Sequence, residues 1–129
     1  MRIFDCFMFC DEEMLLDIRL NILNKFVDKF IIVESIYTHS GKKRDLVFNI
    51  ENYKKFKDKI KYYVVSEKPK QIENIHSEET KKIKENKFIM NAVWFENAQR
   101  NAINNLLYNA DPNDQIIISD LDEIPNLEN

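Results

Sequence analysis

The chain encodes an α/β domain built on a mostly parallel sheet. Apolar runs suited to buried strands alternate with apolar stripes at helical spacing. Right-handed crossovers between such runs would make neighbouring strands parallel. With 129 residues, the chain is one domain's worth of sequence and long enough to bury a core.

The elements follow in order. Arg2 to Phe9 is aromatic and apolar with few breaks, which suits a strand buried on both faces. Asp11 is placed to cap a helix from about residue 12 to 26, with Glu12 and Glu13 in the first turn, where the helix dipole favours acids. Leu15, Ile18, Ile22 and Phe26 form one stripe expected to face the core. Phe30 to Val33 is a second strand, and Glu34 follows at its carboxyl end. Tyr37 to Arg44 is a polar loop holding the chain's single glycine, Gly41. Asn49 caps a short helix over Glu51 to Lys57, and Lys61 to Val65 makes a third strand. Glu67 to Lys87 is rich in Lys, Glu and Asn and is expected to be a solvated excursion, partly helical and mobile.

A second helix is expected over about 92–109, with Val93, Ala98, Ala102, Leu106 and Ala110 near one face. Asp111-Pro112-Asn113-Asp114 is a turn by composition. The strand Gln115 to Ser119 then delivers Asp120-Leu121-Asp122-Glu123 at its carboxyl end. The expected strands therefore lie near 2–9, 30–34, 60–66 and 115–119. In the order 3-2-1-4 the chain reverses between the first and fourth strands, and ligands bind such sheets beyond the strand ends at that reversal. Asp120 and Asp122 would emerge there, beside the loop after Phe9.

Composition removes several functional classes. The net charge of −3 argues against a nucleic-acid binder, which would gather a basic excess on one face. A single glycine excludes glycine-rich phosphate loops, so phosphate recognition must use a metal, side chains, or both. Cys6 and Cys10 have no second Cys or His cluster to complete a zinc site and are expected to be reduced, core-facing thiols. Asp5 interrupts the apolar run that a signal peptide would need, and no stretch reaches the roughly 20 apolar residues that span a bilayer. A cytoplasmic location is expected.

The chemistry gathers at the end of the fourth strand. Asp120, Asp122 and Glu123 place like charges within four residues, and these repel unless a cation or solvent separates them. Mg²⁺ and Mn²⁺ prefer oxygen ligands of this kind, completed by substrate phosphates. In extended geometry Asp120 and Asp122 would point the same way. An acidic, solvated turn after a strand would have the same composition. Glu96 and Arg100 lie one helical turn apart, either as a surface ion pair or with Glu96 orienting Arg100 toward a diphosphate or uridine. Glu34 is placed to accept bonds from ribose hydroxyls or a base N–H, or is simply a solvated strand end. Arg19 is expected to be a salt-bridging or capping partner rather than a substrate ligand, Trp94 a core or lid aromatic, and His39 and His76 solvated loop residues.

Taken in order, these blocks resemble glycosyltransferase family 17, the β-1,4-N-acetylglucosaminyltransferase-like enzymes. The residues that carry the resemblance run from Asp5-Cys6-Phe7-Met8-Phe9 through Glu13, Leu16 and Ile18-Arg19-Leu20-Asn21 to Val27-Asp28-Lys29-Phe30-Ile31-Ile32-Val33-Glu34-Ser35. Thr38, Gly41, Lys59-Ile60, Trp94, Glu96, Arg100 and Ser119-Asp120-Leu121-Asp122-Glu123-Ile124-Pro125 continue it. The resemblance implies an A-type, Rossmann-like glycosyltransferase fold with an Asp-x-Asp motif, a donor such as UDP-N-acetylglucosamine, a glycan acceptor, and inversion at the anomeric carbon. It implies that Asp122 binds Mn²⁺ or Mg²⁺, that Asp120 supports the metal or the donor's sugars, and that Arg100 and Glu34 touch the nucleotide. The loop Thr38 to Leu46 is longer and more basic than the family's pattern.

Residues 1–129 are thus expected to be the nucleotide-sugar-binding part of a glycosyltransferase domain, without the half that carries the acceptor site and general base. No catalytic base is assigned. An uncovered sheet edge and apolar face would leave such a part weakly stable or self-associating. Two rival functions use the same residues. One is a nucleotide-sugar binder that does not turn over. The other is a haloacid-dehalogenase-type phosphatase with Asp120 as nucleophile and Asp122 as acid, although that motif normally opens its domain.

Overall fold

The computed structural model describes residues 1–128. Strand β1 (Ile3–Phe9) is followed by helix α1 (Glu13–Leu23), β2 (Lys29–Ser35), a 3-10 segment (Ile50–Phe56), β3 (Ile60–Val65), helix α2 (Lys81–Ala102), a 3-10 turn (Ile103–Leu106) and β4 (Gln115–Ile118). The four strands form one sheet in the order β3-β2-β1-β4, and every pairing is parallel. The expected parallel sheet is therefore found, and its order is the one that puts the reversal between β1 and β4.

Side chains alternate across the sheet with the period of two that strand geometry imposes. Phe7, Phe9, Phe30 and Ile32 pack with Leu16, Leu20, Leu23, Tyr53, Phe56 and Leu121 on one face. Phe4, Cys6, Ile31 and Val33 pack with Ala102 and Ile103 on the other. The alternation also places Asp5 and Glu34 on the α1 side, within the larger core. Both are completely buried.

Three sequence expectations about the helices need correction. The inward face of α1 is Leu16, Arg19, Leu20 and Leu23, whereas Ile18 is 40% and Ile22 50% exposed. Both stripes have helical spacing, and only contact with the sheet distinguishes them. Asp11 makes no cap. Glu12 holds the cap position without a side-chain bond, and the Asp11 carboxylate pairs instead with Arg44 at 3.1 Å. At the other end of α1, Lys59 Nζ donates to the carbonyls of Asn24 (2.6 Å) and Val27 (2.9 Å), a cation where the helix dipole favours one.

The third correction concerns α2, which begins at Lys81, inside the stretch expected to be a solvated excursion. Thr80 caps it, its hydroxyl accepting from Ile83 N. The excursion is pinned back on the helix by the Lys87–Glu79 ion pair (2.8 Å) and by Asn91, whose side chain bonds both backbone groups of Glu73. Phe88, Ile89, Met90 and Val93 remain exposed, so these first turns carry no inward stripe for a sequence pattern to detect. The buried face is Phe95, Gln99 and Ala102. Of the expected stripe, Ala102 is buried and Leu106 and Ala110 pack on the same core, whereas Val93 is exposed. The helix tightens into the 3-10 turn after Ala102. The short helix after Asn49 is present as a 3-10 segment broken at Tyr53, with Asn49 Oδ1 accepting from Glu51 N.

Candidate functional site

Arg19 organises the site from below. Its side chain is fully buried on α1, and such a cation is tolerable only when paired and hydrogen-bonded. Nε and Nη2 bind the two carboxylate oxygens of Asp5 at 2.8 and 2.6 Å, and the guanidinium stacks on Phe7. Nη1 donates to the backbone carbonyls of Asp120 (2.7 Å), Leu121 (3.1 Å) and Glu123 (3.2 Å). Nη2 also reaches Ser119 Oγ at 2.7 Å, and that hydroxyl donates to the Glu123 carbonyl.

The backbone after β4 is consequently a turn rather than a continued strand, closed by Glu123 N donating to the Asp120 carbonyl at 2.9 Å. This corrects the extended geometry expected for Asp120 and Asp122. Leu121 is buried between them in the α1-side core, and both aspartates still line one cleft of about 390 Å³. Met8, Phe9 and Cys10 supply its floor at the end of β1, Glu12 and Leu15 one wall, and His39, Glu96 and Gln99 the other. The cleft sits at the reversal between β1 and its two neighbours, where open α/β sheets bind ligands.

A second cavity of about 240 Å³ adjoins it, lined by Phe9, Cys10, Ser35, Tyr37, Thr38, His39, Arg44 and Gln99. Its rim is the loop after β2, and Glu34 and Arg44 fix that loop. Glu34 accepts from Val47 N (2.7 Å), Phe48 N (3.1 Å) and Tyr62 Oη (2.6 Å), and pairs with Arg44 at 2.9 Å. Arg44 also donates to the carbonyls of Ser35 and Cys10, both at 2.6 Å. Burial alone would lower the Arg44 pKa, but its bonds to Asp11 and Glu34 outweigh that and raise it. Burial, then the bond to Glu34, raises the Tyr62 phenol.

The residues singled out from sequence thus separate. Asp120 and Asp122 share the cleft. Arg100 is bound to Glu96 at 2.9 Å, each 41% exposed, and only Glu96 lies on the cleft wall. Glu34 is not a free carboxylate at a strand end, because four donors surround it inside the protein. Trp94 is half-buried and His76 exposed. Cys6 is buried, whereas Cys10 is exposed and lines both cavities, correcting the expectation of two core-facing thiols. Burial, with Asp5 adding, pushes the Cys6 thiol up to about 12. Sequence reasoning missed His39, Gln99 and Glu12 as cleft residues. Contact between the β2 loop and α2 brings His39 and Gln99 there, which nothing local marks, whereas Glu12 arrives as the cap residue of α1, just after β1.

Asp120 and Asp122 offer an oxygen-only pair suited to a hard divalent cation. Among the described residues no group of three or more His, Cys, Asp or Glu could hold a metal ion unaided. Two carboxylates completed by phosphate oxygens and water are a usual arrangement for Mg²⁺, so the residues fit a cation that arrives with a phosphorylated ligand. No helix among the described residues is long and apolar enough to cross a membrane.

Comparisons with curated proteins and with solved structures each give no match. A family model described as Glycosyltransferase family 17 matches residues 1–129. That match favours sugar transfer over the phosphatase alternative. With the parallel sheet and the resemblance carried by its residues, it establishes that the chain belongs to glycosyltransferase family 17.

Proposed function

We propose that this glycosyltransferase chain binds a nucleotide sugar, UDP-N-acetylglucosamine by preference, as its complex with Mn²⁺ or Mg²⁺. In this reading Asp122 holds the cation and Asp120 supports it or the donor's sugars. A cation there would neutralise charge that builds on the departing diphosphate. The sugar would pass to a hydroxyl of a glycan acceptor attacking opposite the leaving group, with inversion. Arg100 would reach the diphosphate by exchanging Glu96 for a phosphate, which its planar fork can bind with two bonds. Glu34 serves the nucleotide at one remove, by fixing the loop that forms the rim of the adjoining cavity.

The observation that supports this most is the pair Asp120 and Asp122. Both lie in one cleft at the β1–β4 reversal, and neither carboxylate is used in an ion pair among the described residues. Calorimetric titration of UDP-N-acetylglucosamine and other nucleotide sugars, with and without Mn²⁺, tests it. Tighter binding of the UDP sugar with Mn²⁺ is expected. Absence of metal-dependent binding by every nucleotide sugar at millimolar concentration would overturn it.

A further inference from the structure

We propose that Arg19 is a positioning residue for the acidic turn, holding Asp120 and Asp122 ready before any ligand arrives. The inference rests on the reading of these two carboxylates as the donor site. It goes beyond that reading in naming what sets their geometry.

The two edges of the guanidinium have different partners. The Nε–Nη2 edge is matched to Asp5, and this alone would make Arg19 a buried structural cation. The Nη1 end instead meets three carbonyls of a turn about a hundred residues away in sequence, and Nη2 meets Ser119 Oγ beside it. The turn's other hydrogen bonds are local: Glu123 N donates to the Asp120 carbonyl, Asp120 N to Glu123 Oε1, and the Ser119 hydroxyl to the Glu123 carbonyl. Among the described residues β4 pairs only with β1, through four residues, and its last tie to the sheet is Ser119 N donating to the Cys6 carbonyl at 3.3 Å. Asp120, Asp122 and Glu123 repel one another, which favours an open turn. A cation beneath their carbonyls opposes that opening, and Leu121 anchors the centre of the turn in the core. Ordering the turn in advance removes a cost that ligand binding would otherwise carry.

The test uses the whole chain, metal-free, and compares wild type with Arg19→Lys and Ser119→Ala by amide hydrogen exchange. Lysine keeps a charge beside Asp5 but lacks the fork that meets three carbonyls. Residues 119–124 should exchange about tenfold faster in Arg19→Lys, the equivalent of one lost charge-assisted bond, while β1 and β2 keep their protection. Ser119→Ala should show a smaller acceleration confined to the same residues. In parallel, the Mn²⁺-dependent gain in UDP affinity should fall by about tenfold in Arg19→Lys, with metal-free UDP binding unchanged.

Unchanged exchange at 119–124 in both variants overturns the proposal. So does acceleration spread evenly over all four strands, which a merely structural arginine would give. If Arg19→Lys does not fold, Ser119→Ala decides by the same criterion. If wild type shows no Mn²⁺-dependent UDP binding, the donor reading falls, and the exchange measurement still decides the role of Arg19.

Discussion

Gly41 lies against the ring of Phe95, so close that an added Cβ would stand 3.3 Å from Cε2. The glycine has φ +85°, a left-handed conformation that other residues adopt at a cost. Through this contact, and the ring of Tyr37 at 5.9 Å from that of Phe95, the loop after β2 leans on α2. Both cavities owe a wall to that contact.

Gly41→Ala should therefore destabilise the protein by about 1–2 kcal/mol, from the left-handed backbone and the crowded ring together. Urea unfolding measures it. A variant as stable as wild type would show that the loop can relax without loss.

The Arg19–Asp5 pair has both side chains fully buried. Removing one partner strands a charge in the core, so Arg19→Met should cost about 3–5 kcal/mol. Adding Asp5→Asn should restore part of that loss, because the double variant buries no unpaired charge. Additive losses in chemical unfolding would contradict the pairing.

Donor binding should separate two side chains. Asp122→Asn keeps the shape but removes the charge a hard cation needs, so it should abolish the Mn²⁺ enhancement and leave metal-free binding. Arg100→Ala should weaken binding by about 1.5–3 kcal/mol with or without metal. An Arg100 that serves only its pair with Glu96 would leave calorimetric affinity unaltered.

Thiol chemistry should distinguish the two cysteines. In native protein near neutral pH, Cys10 should react with an aromatic disulfide reagent and Cys6 only after unfolding, since one is exposed and the other buried. UDP with Mn²⁺ should slow labelling of Cys10, which lines both cavities. Cys6 has a folded pKa raised from 9.0 to about 12. Its contribution to stability is present in full below pH 9.0 and is lost as pH rises toward about 12. The raised Tyr62 phenol acts in the same direction at still higher pH. Cys6→Ala should flatten the fall of unfolding free energy across that alkaline window. An unchanged slope would remove Cys6 as its cause.

The sheet was legible because Phe30 to Val33 and Ile116 to Ile118 are apolar runs bounded by turn residues, and a strand needs little else. The face of α1 was not, because 15-18-22-26 and 16-20-23-27 are equally helical and only the sheet chooses between them. The first turns of α2 were missed because their apolar side chains stay exposed while lysines fill the pattern. At the site, the aspartates announced themselves by charge density. Arg19 was read as a salt-bridge partner, which it is, but a sequence does not show that its far edge meets a turn from the other end of the chain. Glu34 was read as a free strand end because its partners, Val47, Phe48 and Tyr62, lie in later segments.

The placement of β1 between β2 and β4 has a kinetic consequence. Ile3 meets Asp28 across a sequence separation of 25, whereas Arg2 meets Asp114 across 112. Closing the longer loop costs about 1 kcal/mol more chain entropy, and its rewards come only after that cost. The three strands β1, β2 and β3 can therefore assemble as a first unit, and β4 joins an existing edge. Until it does, Arg19 has Asp5 but not the carbonyls of the acidic turn. Sugar-donor binding should thus be the last property to appear during refolding, after the far-ultraviolet signal has largely recovered.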